Sequence, residues 1–421
     1  MKKRLLSFLL FTSLITAQET SYEVLAVKAG LQHLQGNFKN AIGYYEEAFK
    51  IKSPSALDAY KAAGMYALDH NTEKAFQYLH TALNLEWTEA DWLADDPYFN
   101  YLRTTTPENW KNIKELAFEK EKSYAEKLKL PDLRKEINIM SLKDQQLRYL
   151  RANTKDNAEL TRINEQINES NVKNLTRAKE IVKTCGWPKI SEIGRDGENN
   201  LWLIVQHADQ DVTFQQEVLF EMKKFLKSSE INLENYAFLY DRVQSNLNYK
   251  QLYGTQVVWT RNGEASGFRP ILDEYAVNSR RAAFNLSTLE LYALTYGFMY
   301  KEINLKESEK KDQEYHSEVQ SLLKNAKHSY TVKEFDKTYD YYNAASTFAG
   351  GMSDTDNYNA AVLFAKIAIV SPDEKFKSIA LDFLNLQFLR KKLKKKQLLK
   401  EPAFGILEKE PRWKSIADEL L

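Results

Sequence analysis

The sequence predicts a mainly α fold, with helical-repeat arms around a mostly helical middle domain that carries one small β-hairpin. Three observations lead there. Glycine and proline are scarce, 14 and 9 in 421 residues, roughly half the usual shares of about 7% and 5%. Turn-dense β folds and flexible linkers need more of both. A helical pattern repeats near the N-terminus. Asn262-Gly263 separates two β-prone runs, Val257-Val258-Trp259 and Phe268-Arg269-Pro270-Ile271, which is a hairpin signal. Charged residues at 28%, aromatics at 12% and a net charge of +1 exclude collagen-like, low-complexity and all-β chains. They also leave no overall basic field for nucleic acid.

The chain opens on a processing signal. Lys2-Lys3-Arg4 form a positive start and Leu5 to Thr16 an apolar run too short to span a bilayer. Ile15-Thr16-Ala17 supplies small residues before Gln18. Residues 1–17 therefore read as a signal peptide, which predicts export to a periplasm or secretion. No other stretch is apolar enough to span, so no membrane span is expected after cleavage. Loss of the three basic residues turns the net charge slightly negative. Cys185 is the only cysteine, so no intramolecular disulfide is possible. Beside Gly186-Trp187-Pro188 it reads as a packed thiol rather than a reactive one.

The repeats justify the arms. Ala41-x2-Tyr44-x3-Ala48 recurs as Ala75-x2-Tyr78-x3-Ala82, an offset of 75 − 41 = 34. The same offset links Ala29 to Ala63, Gly30 to Gly64 and Asn37 to Asn71. Small residues let one helix approach the next, and Gly36-Asn37 suits the turn between them. On these residues Tyr22 to about Leu85 resembles two tetratricopeptide repeats, the family with this period. A third copy, Ala361-x2-Phe364-x3-Ala368, lies near the C-terminus.

Both regions end alike. Leu93-x3-Pro97-x-Phe99-x2-Leu102 precedes Trp110, and Leu398-x3-Pro402-x-Phe404-x2-Leu407 precedes Trp413. Each reads as a cap over the apolar end of a short stack. The arms are assigned to 20–128 and 302–421. Between them, Pro131 splits a polar helical stretch. Ile137, Met140, Leu147 and Leu150 mark one stripe, and Ile163, Ile167, Leu175, Ala178 and Ile181 another. Gly186 sits where a helix would end. The basic run Arg390 to Lys396 reads as a solvated helix face.

The middle domain, 130–301, holds the unusual residues. In order come Gly186-Trp187-Pro188, Gln206-His207-Ala208-Asp209-x-Asp211-x2-Phe214-Gln215, Asp241-Arg242-Val243, Gln251-Leu252-Tyr253-Gly254-Thr255-Gln256 and Asn278-x-Arg280-Arg281. This set resembles an uncharacterised bacterial domain family, marked by Gly-Trp-Pro, Gln-His-Ala-Asp and Tyr-Gly-Thr-Gln, over roughly Pro131 to Tyr296. The resemblance implies no activity. Six of the 14 glycines, at 186, 194, 197, 254, 263 and 267, fall within its stretch from 186 to 267, which predicts irregular backbone.

Physically, Leu201, Ile204, Val205, Ala208, Val212, Leu219 and Met222 define one amphipathic helix. On it His207, Asp211 and Gln215 follow at i, i+4 and i+8, while Asp209 falls on the other flank. Such a His/Asp pair can bind a metal, or the carboxylate can orient the imidazole as a general base. It can equally form a buried polar network tied to the Asp241-Arg242 helix. Asp241 is expected to pair with Arg280 or Arg281, and Arg242 with Asp211. The hairpin is expected to drape Tyr253 and Gln256 over this helix. His207, Asp211 and Asp241 are thus the catalytic candidates. Gln215, Arg242, Tyr253, Gln256, Arg280 and Arg281 are the ligand-binding ones.

No phosphate loop, Gly-x-Ser-x-Gly, His-Glu-x2-His or cysteine pair is present. His33, His70, His80, His316 and His328 stand apart from any acidic cluster. No metal or cofactor is therefore predicted. Two functions follow. One is an exported protein- or peptide-interaction module whose partner binds through the repeat arms, with no role for nucleic acid. The alternative is a periplasmic hydrolase using His207 and Asp211. The residues leave open whether the protein is an enzyme.

Overall fold

A computed structural model describes residues 21–420, so the signal-peptide reading of residues 1–17 lies outside the described residues. The described chain is mainly α with one small two-stranded antiparallel sheet. It divides into two compact units, one running through Trp87 and resuming over Asp95–Ala117, the other formed by Thr88–Ala94 and the chain from Phe118 onward.

The first unit is built from helix pairs. α1 (Tyr22–Leu34) packs on α2 (Phe38–Ile51), and α3 (Ala56–Leu68) on α4 (Thr72–Asn84). Ser21, Ser55 and Asn71 cap α1, α3 and α4 by accepting from first-turn amides, which satisfies donors no helix can satisfy itself. The repeated alanines 29, 41, 48, 63, 75 and 82 are all buried. Both pairs turn through one left-handed residue, Gly36 in the first and His70 in the second, 70 − 36 = 34 positions apart. The repeated glycines are not equivalent. A Cβ on Gly64 would meet Tyr98 at 3.2 Å, whereas Gly30 faces open space. Tyrosine hydroxyls donate to Asp58 from Tyr22, to Glu46 from Tyr66 and to Asp96 from Tyr60. The chain leaves through α5 (Ala90–Asp95), a 3-10 turn at Pro97–Phe99, α6 (Asn100–Thr105) and α7 (Pro107–Ala125). Phe99 meets Trp110 at 5.7 Å.

In the second unit, Pro131 starts α8 (Pro131–Asn153) at its first turn, where a missing N–H costs nothing. α9 (Asn157–Cys185) folds back on α8 and ends at left-handed Gly186. α10 (Ile190–Gln206) lies across α8 and kinks at Gly194, whose φ is 77°. α11 (Val212–Lys223) and α12 (Leu233–Asn246) complete the core around Ile137, Ile181, Trp187, Leu201, Val218 and Leu239. The expected single helix from Leu201 to Met222 is therefore two helices. Asp211 accepts from the Phe214 amide at 3.0 Å and starts a new helix. Gln215 donates across the break to the Val205 and Gln206 carbonyls at the end of α10.

The hairpin forms around Gly263 and β1 (Val257–Trp259) falls on its expected run, but its antiparallel partner β2 (Ala265–Phe268) lies ahead of the expected Phe268–Ile271 run. The second strand ends at Phe268, ahead of Pro270, which has no amide to extend a ladder. Short α13 (Val277–Ala282) and α14 (Leu289–Thr295) follow.

The C-terminal helices repeat the pairing: α15 (Leu305–Thr331) with α16 (Phe335–Thr347), then α17 (Asp354–Val370) with α18 (Lys375–Leu389). The third copy of the alanine pattern falls on α17, the first helix of its pair, whereas the earlier copies fall on second helices. After α19 (Lys395–Lys400) a 3-10 turn at Pro402–Leu407 and α20 (Pro411–Leu420) close the stack, with Phe404 5.6 Å from Trp413.

Two further sequence readings change. Arg390 does not belong to a solvated face. It is buried, donates to the Leu247 carbonyl at 2.8 Å, pairs with Asp354 at 3.1 Å and lies over the Tyr249 ring at 4.5 Å. Cys185 is exposed rather than packed. Among the described residues, no helix is long and apolar enough to cross a membrane.

Candidate functional site

His207 caps the C-terminal end of α10. The break that follows separates it from Asp211, so the two do not share a helix face. Its carboxylate neighbour comes from α8 instead. Nδ1 lies 3.5 Å from Asp144 Oδ2, within ion-pair reach but without an aligned hydrogen bond. Asp144 is buried and receives two hydrogen bonds from Arg148, at 2.8 and 3.0 Å. Burial alone would raise the Asp144 carboxyl. The adjoining His207 and Arg148 outweigh it and hold the group at about 2. A small pocket opens here, lined by Asp144, Asn171, Asn174 and His207 among others. A carboxylate beside one imidazole nitrogen orients a general base once an aligned hydrogen bond joins the two.

Asp211 works elsewhere. It caps α11 and pairs with Lys179 of α9. Gln215 is fully buried and spans the α10–α11 break. Arg242 pairs not with Asp211 but with Asp209, donating from Nε at 2.7 Å. Asn246 donates to the same carboxylate at 3.0 Å. Burial would raise Asp209, but these donors bring it below the usual carboxylate range.

The remaining candidates form a separate structural knot. Asp241 is fully buried and pairs with neither arginine. It accepts from the amides of Leu252, Tyr253 and Thr255, at 2.7, 3.1 and 3.0 Å, and from the Thr255 hydroxyl at 3.1 Å. The arginines take the carbonyls of the same segment. Arg280 donates to Leu252 O at 2.8 Å, and Arg281 to Tyr253 O and Ser287 O, each at 2.6 Å. Arg281 is buried over the Tyr292 ring, 4.8 Å away, and burial pushes it down to about 10. Gln251 finishes the knot by donating to the Gln256 and Arg269 carbonyls and accepting from the Gln256 amide. One carboxylate, two guanidiniums and an amide thus satisfy an irregular segment that no helix or sheet supports.

Tyr253 is buried against Phe284, 4.7 Å away, and Tyr240. The Gln256 amide nitrogen donates to Thr255 Oγ1. Neither drapes over His207. The hairpin instead covers α14, with Phe268 stacked on Tyr292 and Trp259 edge-on to Tyr296.

A larger cleft adjoins the His207 pocket. It measures about 820 Å³ and is lined by Lys179, Val182 and Lys183 of α9, by the Asp211 cap and one face of α11 that includes Thr213, Glu217 and Phe220, and by Lys391 and Glu419. Asn171, Asn174 and Leu175 line the small pocket one to two turns earlier on α9. At about 100° per residue these positions fall on one side of the helix, so both openings follow the same stripe of α9. Asp144, Arg148, Asn171 and Phe220 were not legible as site residues. Nothing in their spacing connects them to His207. Among the described residues, no group of three or more His, Cys, Asp or Glu side chains is placed to hold a metal.

Residues 131–301 match the model of a family described as a family of unknown function (DUF6624). No curated protein matches the chain.

Proposed function

We propose that the protein is an exported protein- or peptide-interaction module, with tetratricopeptide-like helix pairs on either side of the 131–301 domain, and that a partner segment lies in the cleft between α9 and α11. The cleft carries this reading. It is open, and Phe220 on its α11 side is 66% exposed. A large side chain left in water beside a concavity is a common anchor for a partner chain. Aromatic layers, small-residue helix contacts and a cap on each stack support the repeat assignment. The Lys-Lys-Arg start, apolar run and Ile-Thr-Ala site support export.

A photo-reactive amino acid at Thr213, in the cleft, is expected to cross-link a discrete protein in the native host. The same group at Leu399, exposed but outside the cleft lining, is expected to give none. Equal labelling from both positions would sink the reading. Export is tested separately, by sequencing the N-terminus of the protein from the native host. A mature chain starting at Gln18 supports it, and an intact Met1 in the cytoplasm contradicts it.

The His207–Asp144 juxtaposition favours a second reading, hydrolysis. His207 would act as base with Asp144, in place of Asp211, holding the imidazole. In a screen of ester, amide and phosphoester substrates, any turnover should vanish in folded His207→Ala and drop in Asp144→Asn. Turnover indifferent to both changes removes this reading.

A further inference from the structure

The two long walls of the cleft carry opposite charge. Lys179 and Lys183 stand on α9, while Asp211, Glu217 and Glu221 stand on α11. Lys179 is committed to Asp211 and Glu221 to Lys224. Lys183 and Glu217 are exposed and form no ion pair among the described residues, so one free cation faces the cleft from α9 and one free anion from α11, while Lys391 and Glu419 add one charge of each sign outside these two walls. Val182, Phe214 and Phe220 give the cleft its apolar surface. Phe214 is buried and Phe220 exposed. An α-helix is about 10 Å across with a rise of about 5.4 Å per turn, so about 820 Å³ accommodates roughly two turns.

We infer that the occupant of this cleft is an amphipathic helix of a partner protein, acidic along one edge of its apolar stripe and basic along the other. Its apolar stripe meets Phe220 and Val182, its acidic edge meets Lys183, and its basic edge meets Glu217. An extended peptide fits less well, because it alternates its side chains between two faces and would not present both charged edges beside one apolar stripe. The inference rests on the interaction reading above and adds the chemistry of the partner. Opposed charged walls also give selectivity, since a helix with two like-charged edges meets repulsion at one wall.

Three stapled helices of about three turns, sharing one leucine stripe, test this by fluorescence anisotropy. One has a Glu edge and a Lys edge, one has two Glu edges and one has two Lys edges. This set is insensitive to the direction in which a helix lies. Wild-type protein should bind the mixed helix about three- to tenfold more tightly than either uniform one, as expected for partly exposed ion pairs. Lys183→Glu should move first preference to the two-Lys helix, and Glu217→Lys to the two-Glu helix. Both positions are exposed, and unchanged circular dichroism and melting verify the fold. A ranking that neither variant alters overturns the inference. So does failure of all three helices to bind, although cross-linking from Thr213 would then leave the broader interaction reading standing. A concentration-dependent dimer in light scattering that Phe220→Asp abolishes also overturns it, by making a second copy of this chain the occupant.

Discussion

Asp241 shows how a residue that looks catalytic is accounted for by backbone chemistry. Its carboxylate replaces the water that four donors of the 252–255 segment would otherwise need. Asp241→Asn keeps the shape but turns one oxygen into a donor facing donors. It should lower stability by on the order of 3 kcal/mol in urea unfolding, with hydrogen-exchange protection lost first at 251–256. A variant that melts normally would reopen a functional role. Glu198 raises a different point. It is buried, accepts from Trp187 and Asn235, and burial lifts it to about 7 from an ordinary 4.5 despite those donors. The folded state therefore holds a proton that the unfolded chain has released. The stability from this group is complete below about pH 4.5 and declines as pH rises to about 7. Glu89 is raised likewise, by burial first and by Asp196 second. The melting temperature should fall between about pH 5 and about pH 7, and fall less in Glu198→Gln. Equal slopes in the two proteins would contradict the assignment.

At the scale of elements, glycines of one sequence type do opposite work. Gly194 kinks α10 at a φ of 77°, and a Cβ there would meet Tyr124 Oη at 2.8 Å and Asp196 Oδ1 at 2.7 Å. Gly30 sits inside α1 with open space around it. Gly194→Ala should destabilise by about 2 kcal/mol or more, through backbone strain and the contacts together. Gly30→Ala should stabilise by about 0.5–1 kcal/mol, because alanine loses less entropy in a helix. Thermal melts of the two variants moving in the same direction would refute this division. The repeat pattern alone treats Gly30 and Gly64 as equivalent, and only the neighbour Tyr98 distinguishes them. The split between α10 and α11 is similar. Apolar spacing runs through it without a fault, since Ala208 and Val212 continue the stripe. The stop lies in Asp211, a good capping residue whose preference for a helix start competed with the periodicity.

On the scale of the whole molecule, the second unit holds the 131–301 domain and the C-terminal pairs together through Arg390. The guanidinium reaches Leu247 O, Asp354 and the Tyr249 ring, and the Gly350 amide donates to Asn248 O at 2.8 Å beside it. Arg390→Ala removes the guanidinium from the Leu247 carbonyl and leaves Asp354 with the Tyr249 hydroxyl in place of this ion pair. It should separate one calorimetric transition of this unit into two, with faster proteolysis near 248 and 350. A single unshifted transition would show that the packing of Leu386 and Leu389 on the core is sufficient alone. The sequence by itself determined the mainly α fold, the N-terminal helix pairs, the Gly36-Asn37 turn and the hairpin turn at Asn262-Gly263. Those features rest on contacts between residues close in the chain, where period, capping residue and Asn-Gly carry the information. Only the tertiary structure decided the site. Asp144 reaches His207, Asp209 meets Arg242, and Lys183 and Glu217 come to line one cleft, from helices whose order and spacing leave no periodic trace. The physical reason is that burial and charge pairing act through space, while the patterns legible in a sequence act along the chain.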